Sequence, residues 1–245
     1  LSVCKHFPGH GDTEVDSHHV LPVLDFDRTR LDSVELYPFK KAVEAGVGGV
    51  MIGHLHVSEL DEKPASISSE VITSLLRKEL HFSGLVFTDA LEMKGISKNA
   101  DDLCVQALMA GNDMLLVPRN LKKSLESVMR AVKSGKLTED VITEKCRKVL
   151  TYKYALGLSH KQQVAAEGIE NRICSAKSDS LMIALEKAAV TVLKDSVDVL
   201  PLDLSLSENI LLSLSSSLSE AYPFYKELKE SVSLSWLHGN ADSLQ

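Results

Sequence analysis

The chain has 245 residues, long enough for a sizeable core in one or two domains, and its 44% hydrophobic and 25% charged residues are ordinary for a soluble globular protein. With 27 basic against 34 acidic residues, a net charge of −7 and no block rich in Lys and Arg, nucleic-acid binding is not favoured. No apolar run approaches the roughly 20 residues of a membrane span. The four cysteines (Cys4, Cys104, Cys146 and Cys174) have no CxxC spacing, which argues against a zinc knuckle or a disulfide framework, and they read as buried thiols. The chain starts at Leu1 inside a strand-like run, with no visible signal peptide, and ends just after another apolar run; the expectation is a fragment. That leaves the compartment open between the cytoplasm and the cell envelope, and the oligomeric state unread.

Leu1 to Cys4 reads as the end of a buried strand. It runs into Lys5-His6-Phe7-Pro8-Gly9-His10-Gly11-Asp12-Thr13-Glu14-Val15-Asp16-Ser17-His18, whose Pro and Gly residues mark a loop and whose titratable groups mark a place for binding or chemistry. From Leu31 to Ala45, Leu31, Val34, Leu36, Phe39, Ala42 and Val43 recur at helical spacing, with Gly46 as the stop. Val47 to Gly53 is a short apolar run, the pattern of a strand covered on both faces, followed by His54-Leu55-His56. Ser68-Ser69 cap a second helix with the stripe Val71, Ile72, Leu75, Leu76 and Leu80.

Leu85 to Thr88 is a third strand ending in Asp89, a third helix spans about 102–110, and Met114 to Val117 is a fourth strand stopped by Pro118. Two amphipathic helices follow, over 121–133 and 139–155. Residues 158–176 lack a firm period and read as a linker. Beyond it, 179–189 reads as a helix, 190–193 as a strand, 194–195 as a turn and 200–202 as extended. Further strands are expected at 210–214 and 231–237, with a helix near 220–229.

Strands alternating with helices of this length indicate βαβ units and a parallel sheet. Lys5/His6, His54/His56 and Asp89 follow strands one, two and three, where an α/β barrel carries its active site. Two chemistries compete for this cluster. Alternate strand residues point to one side, so His54 and His56, with Asp89 as a third ligand, would suit a metal-dependent barrel hydrolase. That reading leaves the Asp16-Ser17-His18 loop unexplained.

The loop Lys5-His6-Phe7-Pro8-Gly9-His10-Gly11 with Asp16-Ser17-His18, together with Phe87-Thr88-Asp89-Ala90-Leu91-Glu92-Met93, resembles the glycoside hydrolase family 3 β-N-acetylhexosaminidases of the NagZ type. The likeness extends through Ala110-Gly111-Asn112-Asp113 to Gly157 and resumes at Ala188 to Asp195. It implies the C-terminal half of a (β/α)8 TIM-type barrel over residues 1–157, a linker over 158–177, and the start of an α/β sandwich domain over 178–245. The family's first four barrel strands, which supply an Asp and Arg residues gripping the sugar, have no counterpart here.

The resemblance assigns Asp89 as nucleophile, and a carboxylate at the mouth of a buried strand suits attack on an anomeric carbon in a retaining mechanism. It implies His18, oriented by Asp16, as acid/base, with spacing favouring His18 over His19. A histidine pKa near 6.5 suits a group that protonates the leaving oxygen and then deprotonates water. Their place on a Gly-rich loop implies delivery by loop closure over bound sugar. Lys5 and His6 are implied donors to sugar hydroxyls, a lysine among apolar strand residues needing a partner. His10 and Asp12 are expected to brace the loop, and Glu92 to begin a helix. The implied activity is exo-acting removal of terminal N-acetylglucosamine, typically from peptidoglycan fragments, with no metal or cofactor and with water or phosphate as acceptor. The remaining alternative is a non-catalytic glycan-binding fragment.

Overall fold

Apolar segments alternate with helices along the first part of the chain, and each finds a parallel neighbour. The computed structural model describes residues 1–13, 20–93, 96, 100–160, 165–193 and 226, in two units, Leu1–Val164 and Ala165–Gln245. In chain order the first unit has β1 (Val3–Phe7), β2 (Val23–Leu24), α1 (Arg28–Arg30) and a π-helical segment Leu31–Glu35. Then come α2 (Tyr37–Glu44), β3 (Gly49–Ile52), β4 (His56–Val57), a 3-10 turn Ala65–Ile67 and a second π-helical segment Glu70–Glu79. It continues with β5 (Leu85–Ala90), α3 (Ala100–Ala110), β6 (Met114–Leu116), α4 (Leu121–Lys133) and α5 (Glu139–Ala155).

The main sheet has the order β1-β3-β5-β6, all parallel, with Val3 opposite Gly49, Val50 opposite Val86 and Phe87 opposite Met114. Parallel neighbours need long crossovers, and helices supply them here, so the alternation predicted from sequence is the observed architecture. A separate parallel ladder pairs β2 with β4, Val23 opposite His56 and Leu24 opposite Val57. Two residues per strand give no alternation to read, so sequence reasoning did not anticipate it.

Both expected helices before β5 are present, but the first is π-helical over Leu31–Glu35 and the second over all of Glu70–Glu79, with Leu36 N–H donating to Leu31 C=O at 2.8 Å and Leu80 N–H to Leu75 C=O at 2.9 Å. An apolar spacing of four places residues on one face of either kind of helix, so the pattern could not separate them. Ser68 caps as expected, its Oγ accepting from Val71 N–H at 3.1 Å. Gly46, at φ +77°, ends α2: its N–H donates to Val43 C=O and that of Val47 to Ala42 C=O, the double closure of a Schellman turn.

Phe7, Leu31, Leu36, Val50, Ile52, Ile72, Leu76 and Val86 are buried in one cluster, with the Phe7 and Phe39 rings edge to face at 5.1 Å. Each such side chain contributes about 1.5–3 kcal/mol of burial. At the N-terminal ends of β5 and β6, the buried carboxylate of Asp113 accepts from Arg77 at 2.6 Å, Lys148 at 3.2 Å and Val86 N–H at 2.9 Å. Arg77 also reaches the carbonyls of Phe82 and Gly84, and Lys145 that of Asn112. This network fastens the 70–79 segment and α5 to the sheet at the end opposite the candidate site. Burial pushes the Lys145 and Lys148 ammonium groups below the ordinary lysine value.

Several sequence expectations are corrected. α4 buries Ser124, Ser127 and Ala131 while Leu121, Leu125 and Met129 are exposed, because small side chains face α3 where the helices meet. Cys4 is half-buried and Cys104 buried, but Cys146 is exposed on α5 and Cys174 is exposed in the bend after Ile173. In the second unit, part of the expected linker is helical, α6 (Ile169–Ile173), and α7 runs Ala176–Ala189, capped by Ser175 Oγ, which accepts from Ser178 N–H at 3.2 Å. Val190 to Leu193, expected as a strand, are exposed and pair with no strand among the described residues. The remaining expectations for 194–245, including the sandwich domain, lie outside them, apart from Lys226, which is helical and exposed.

Candidate active site

β5 ends in Thr88-Asp89-Ala90, and three bonds fix that end. Thr88 is buried and its Oγ1 accepts from Leu116 N–H at 3.0 Å, tying β5 to β6. Leu91 N–H donates to Leu116 C=O at 3.0 Å. Buried His54 donates from Nε2 to Ala90 C=O at 3.0 Å, which leaves Nδ1 to accept from the Ser66 hydroxyl at 2.7 Å. Burial holds the His54 pKa below its ordinary value, consistent with a neutral ring in this single tautomer.

Asp89 is therefore presented on a rigid frame, its side chain 18% exposed at the C-terminal end of the strand, with Oδ1 accepting from Ala90 N–H at 2.8 Å. Facing Oδ2 at 3.6 Å is His6 Nε2, from the end of β1, which lies two strands away across β3. Burial lowers the His6 pKa more than the nearby Asp89 charge raises it, and Lys5, His10 and His54 lower it further. A neutral imidazole at neutral pH can donate one N–H to a ligand hydroxyl or to the carboxylate. Lys5, next to His6 on β1, is exposed.

The loop leaving β1 turns sharply. The Lys5–His6 and Phe7–Pro8 peptide bonds are cis, and Gly9 N–H donates back to His6 C=O at 2.9 Å. Gly9 has φ +138°, and a Cβ there would come within 2.7 Å of Glu35 Cβ, so only glycine fits. The His10 ring meets His6 edge-on at 6.0 Å, and Asp12 accepts from Arg30 Nη2 at 2.9 Å, so both expected bracing residues have fixed partners. Asp16 and His18 lie outside the described residues, with Ser17 and His19.

The His54/His56 metal reading does not survive. His54 lies beyond the end of β3 with both ring nitrogens engaged, and His56 opens a different strand, β4, so the two do not alternate along one strand. Among the described residues no group of three or more His, Cys, Asp or Glu is placed to hold a metal ion. Glu92 is an exposed turn residue after β5, and the next helix among the described residues is α3. Sequence reasoning gave no role to Ser66, Thr88 and Arg30, whose partners His54, Leu116 and Asp12 lie 12, 28 and 18 residues away.

Residues 1–152 match the model of the glycosyl hydrolase family 3 N terminal domain. The chain is similar to beta-hexosaminidase A of Pseudoalteromonas piscicida, 33% identical over 82% of this chain and 37% of that protein. Among solved structures it is similar to the glycoside hydrolase family 3 beta-N-acetylglucosaminidase of Paenibacillus sp. FPU-7, with 40% identity, TM-score 0.64, and 67% of this chain against 33% of that one. It is also similar to the zinc-bound CbsA of Thermotoga neapolitana, with 34% identity, TM-score 0.60, and 63% of this chain against 35% of that one. The chain thus spans about a third of the length of these three relatives.

Proposed function

The chain belongs to glycosyl hydrolase family 3, and from that premise we propose that it carries the nucleophile-bearing part of a retaining exo-β-N-acetylglucosaminidase. The observation that carries this reading is the Asp89 carboxylate, fixed by its strand end and paired at 3.6 Å with a His6 whose pKa is held down. In a TIM-like α/β fold the C-terminal ends of the strands are where catalytic groups sit. The hexosaminidase names of the relatives support N-acetylglucosamine as the sugar.

In the first step Asp89 Oδ2 attacks the anomeric carbon, and the bond to the leaving oxygen breaks as His18 donates it a proton. In the second, His18 takes a proton from water, the oxygen attacks the same carbon, and the ester to Asp89 is released. Asp16 holds the imidazole tautomer, the role of a carboxylate beside a catalytic histidine. Neutral His6 and the Lys5 ammonium donate to sugar hydroxyls. The substrates we propose are peptidoglycan-derived fragments bearing terminal N-acetylglucosamine on a muramic or anhydromuramic acid unit. No step calls for a metal or cofactor, and phosphate could replace water in the second step. The barrel half over 1–157 and the partial second domain over 178–245 are part of the same reading.

The test follows the anomer released first. Proton spectra recorded during the first turnovers are expected to contain the β-anomer of N-acetylglucosamine ahead of mutarotation. Initial α-anomer means inversion and refutes Asp89 as nucleophile, and saturable binding without product favours the glycan-binding alternative.

A further inference from the structure

His54 is buried beside the end of β5, and the reaction scheme gives it no part. Its Nε2 lies 3.0 Å from the Ala90 carbonyl, which can only accept, so Nε2 carries the proton and Nδ1 accepts from the Ser66 hydroxyl at 2.7 Å. Ser66 is itself buried, in the turn Ala65–Ile67. Its carbonyl accepts from Asn112 Nδ2 at 2.9 Å, and Ala65 N–H donates to Leu55 C=O at 2.7 Å. A well-anchored hydroxyl thus decides which ring nitrogen carries the proton.

What the ring holds is the residue next to Asp89. Ala90 is fixed on its C-terminal side. Its carbonyl accepts from His54 Nε2 and from Met93 N–H, the latter at 3.1 Å, and Leu91 N–H donates to Leu116 C=O at 3.0 Å. On the N-terminal side, Ala90 N–H donates to Asp89 Oδ1 at 2.8 Å. That bond engages one carboxylate oxygen and leaves the other, Oδ2, facing His6 Nε2 at 3.6 Å. The aim of Oδ2 therefore depends on the direction of a backbone N–H, and that direction on how the Ala90 carbonyl is held. The bond from Met93 is local to the turn, whereas the His54 bond spans 36 residues of sequence and ties Ala90 to the chain just past β3. Filling this space needs only an apolar side chain; what a doubly paired imidazole adds is direction.

We infer that His54, in the tautomer set by Ser66, is a positioning residue for the nucleophile, aiming Asp89 Oδ2 at the anomeric carbon through its bond to Ala90. The inference rests on the reading of Asp89 as nucleophile. It fixes which quantity changes when the bond is lost: attack slows, while binding of the sugar, which does not depend on the aim of Oδ2, is retained.

The probe is the 5-fluoro derivative of N-acetylglucosaminyl β-fluoride, incubated with the longest natural form of the protein. Asp89 Oδ2 forms its bond to the anomeric carbon as fluoride leaves, and the ring fluorine slows the second step, so the ester accumulates. Intact mass gives the labelled fraction and peptide mapping the labelled residue. The concentration dependence separates the maximal labelling rate from the half-saturating concentration. His54→Leu is expected to lower the maximal rate by about 30–100-fold, the effect of a small misplacement of the reacting atom, with half-saturation within about 2-fold of wild type. His54→Gln, whose amide can still donate to the Ala90 carbonyl, should recover to within about 10-fold of wild type. Ser66→Ala keeps the ring but not its choice of tautomer and should lose about 3–10-fold. These last two variants carry the test if His54→Leu does not fold. A loss of folded protein alone lowers the labelled fraction and leaves the rate constant where it was. Unchanged rate constants, a Gln variant no faster than the Leu variant, or a rise in half-saturation that accounts for the whole loss overturns the inference. Label on wild-type Asp89 with unchanged rates in the variants removes the positioning role alone. Label on another residue, or none, removes Asp89 as nucleophile and the inference with it.

Discussion

Replacing His54 by leucine removes the bridge between Ser66 and Ala90 while filling nearly the same space. The buried Ser66 hydroxyl loses its partner at 2.7 Å and the Ala90 carbonyl its donor at 3.0 Å. A buried polar group left unpaired costs about 1–3 kcal/mol, and the Ala90 carbonyl, only partly buried, falls at the low end, so the sum is about 2–4 kcal/mol. For a chain of this size that lowers the melting temperature by about 5–15 °C. The pH dependence adds a second signature. Burial holds the folded-state pKa of His54 below its unfolded value, so the unfolded chain binds the extra proton. The neutral ring's contribution is complete above about pH 6.5 and is lost as pH falls from there through the lowered folded-state pKa. Wild type loses this contribution in acid and the leucine variant has none to lose. The gap between them should therefore narrow below about pH 6.5, by at most about 1.4 kcal/mol per pH unit. Urea unfolding of both proteins at pH 8 and pH 5.5 measures it. A difference below about 0.5 kcal/mol at pH 8, or a gap that widens in acid, refutes the assignment of His54 as a neutral structural bridge.

Two further substitutions probe the opposite ends of the sheet. Asp113→Ala leaves Arg77 and Lys148 without their buried carboxylate; a loss of about 3–5 kcal/mol in urea unfolding is expected, and a loss under 1 kcal/mol would mean that the network holds nothing in place. His6→Ala removes a sugar-hydroxyl donor beside Asp89, so kcat/KM on an aryl N-acetylglucosaminide should fall by about 10–100-fold with folding stability little changed. Unchanged kinetics would remove His6 from the site.

Much of the fold could be read where a period is long enough to repeat. The helices 121–133 and 139–155 have the expected bounds because each spans three or more turns with polar caps, Asn120 and Thr138. The four main strands were legible as short apolar runs between Gly, Pro and charged residues. β2 and β4 were not, since two residues cannot display an alternation. In the site, Lys5, His6 and Asp89 stood out as charged or titratable groups closing apolar runs, and their shared sheet edge follows from the βαβ order. His54 stood out for the same reason and was misread. The groups that satisfy it, Ser66 and Ala90, lie 12 and 36 residues away, and only folding brings them near. The same holds for Arg30, whose partner Asp12 is 18 residues distant. The exposed Leu121, Leu125 and Met129 of α4 show that an apolar stripe identifies a face without stating what covers it.

The central claim, Asp89 as the nucleophile of a metal-independent β-N-acetylglucosaminidase, is tested most directly by one assay. Release of nitrophenol from 4-nitrophenyl β-N-acetylglucosaminide is followed for wild type and Asp89→Ala, with and without a strong chelator. The account predicts wild-type release that persists in chelator, and at least a ~10⁴-fold loss in Asp89→Ala, since removal of a covalent nucleophile closes the two-step route. Near-normal release by Asp89→Ala, or wild-type release that chelator abolishes and zinc restores, would contradict it.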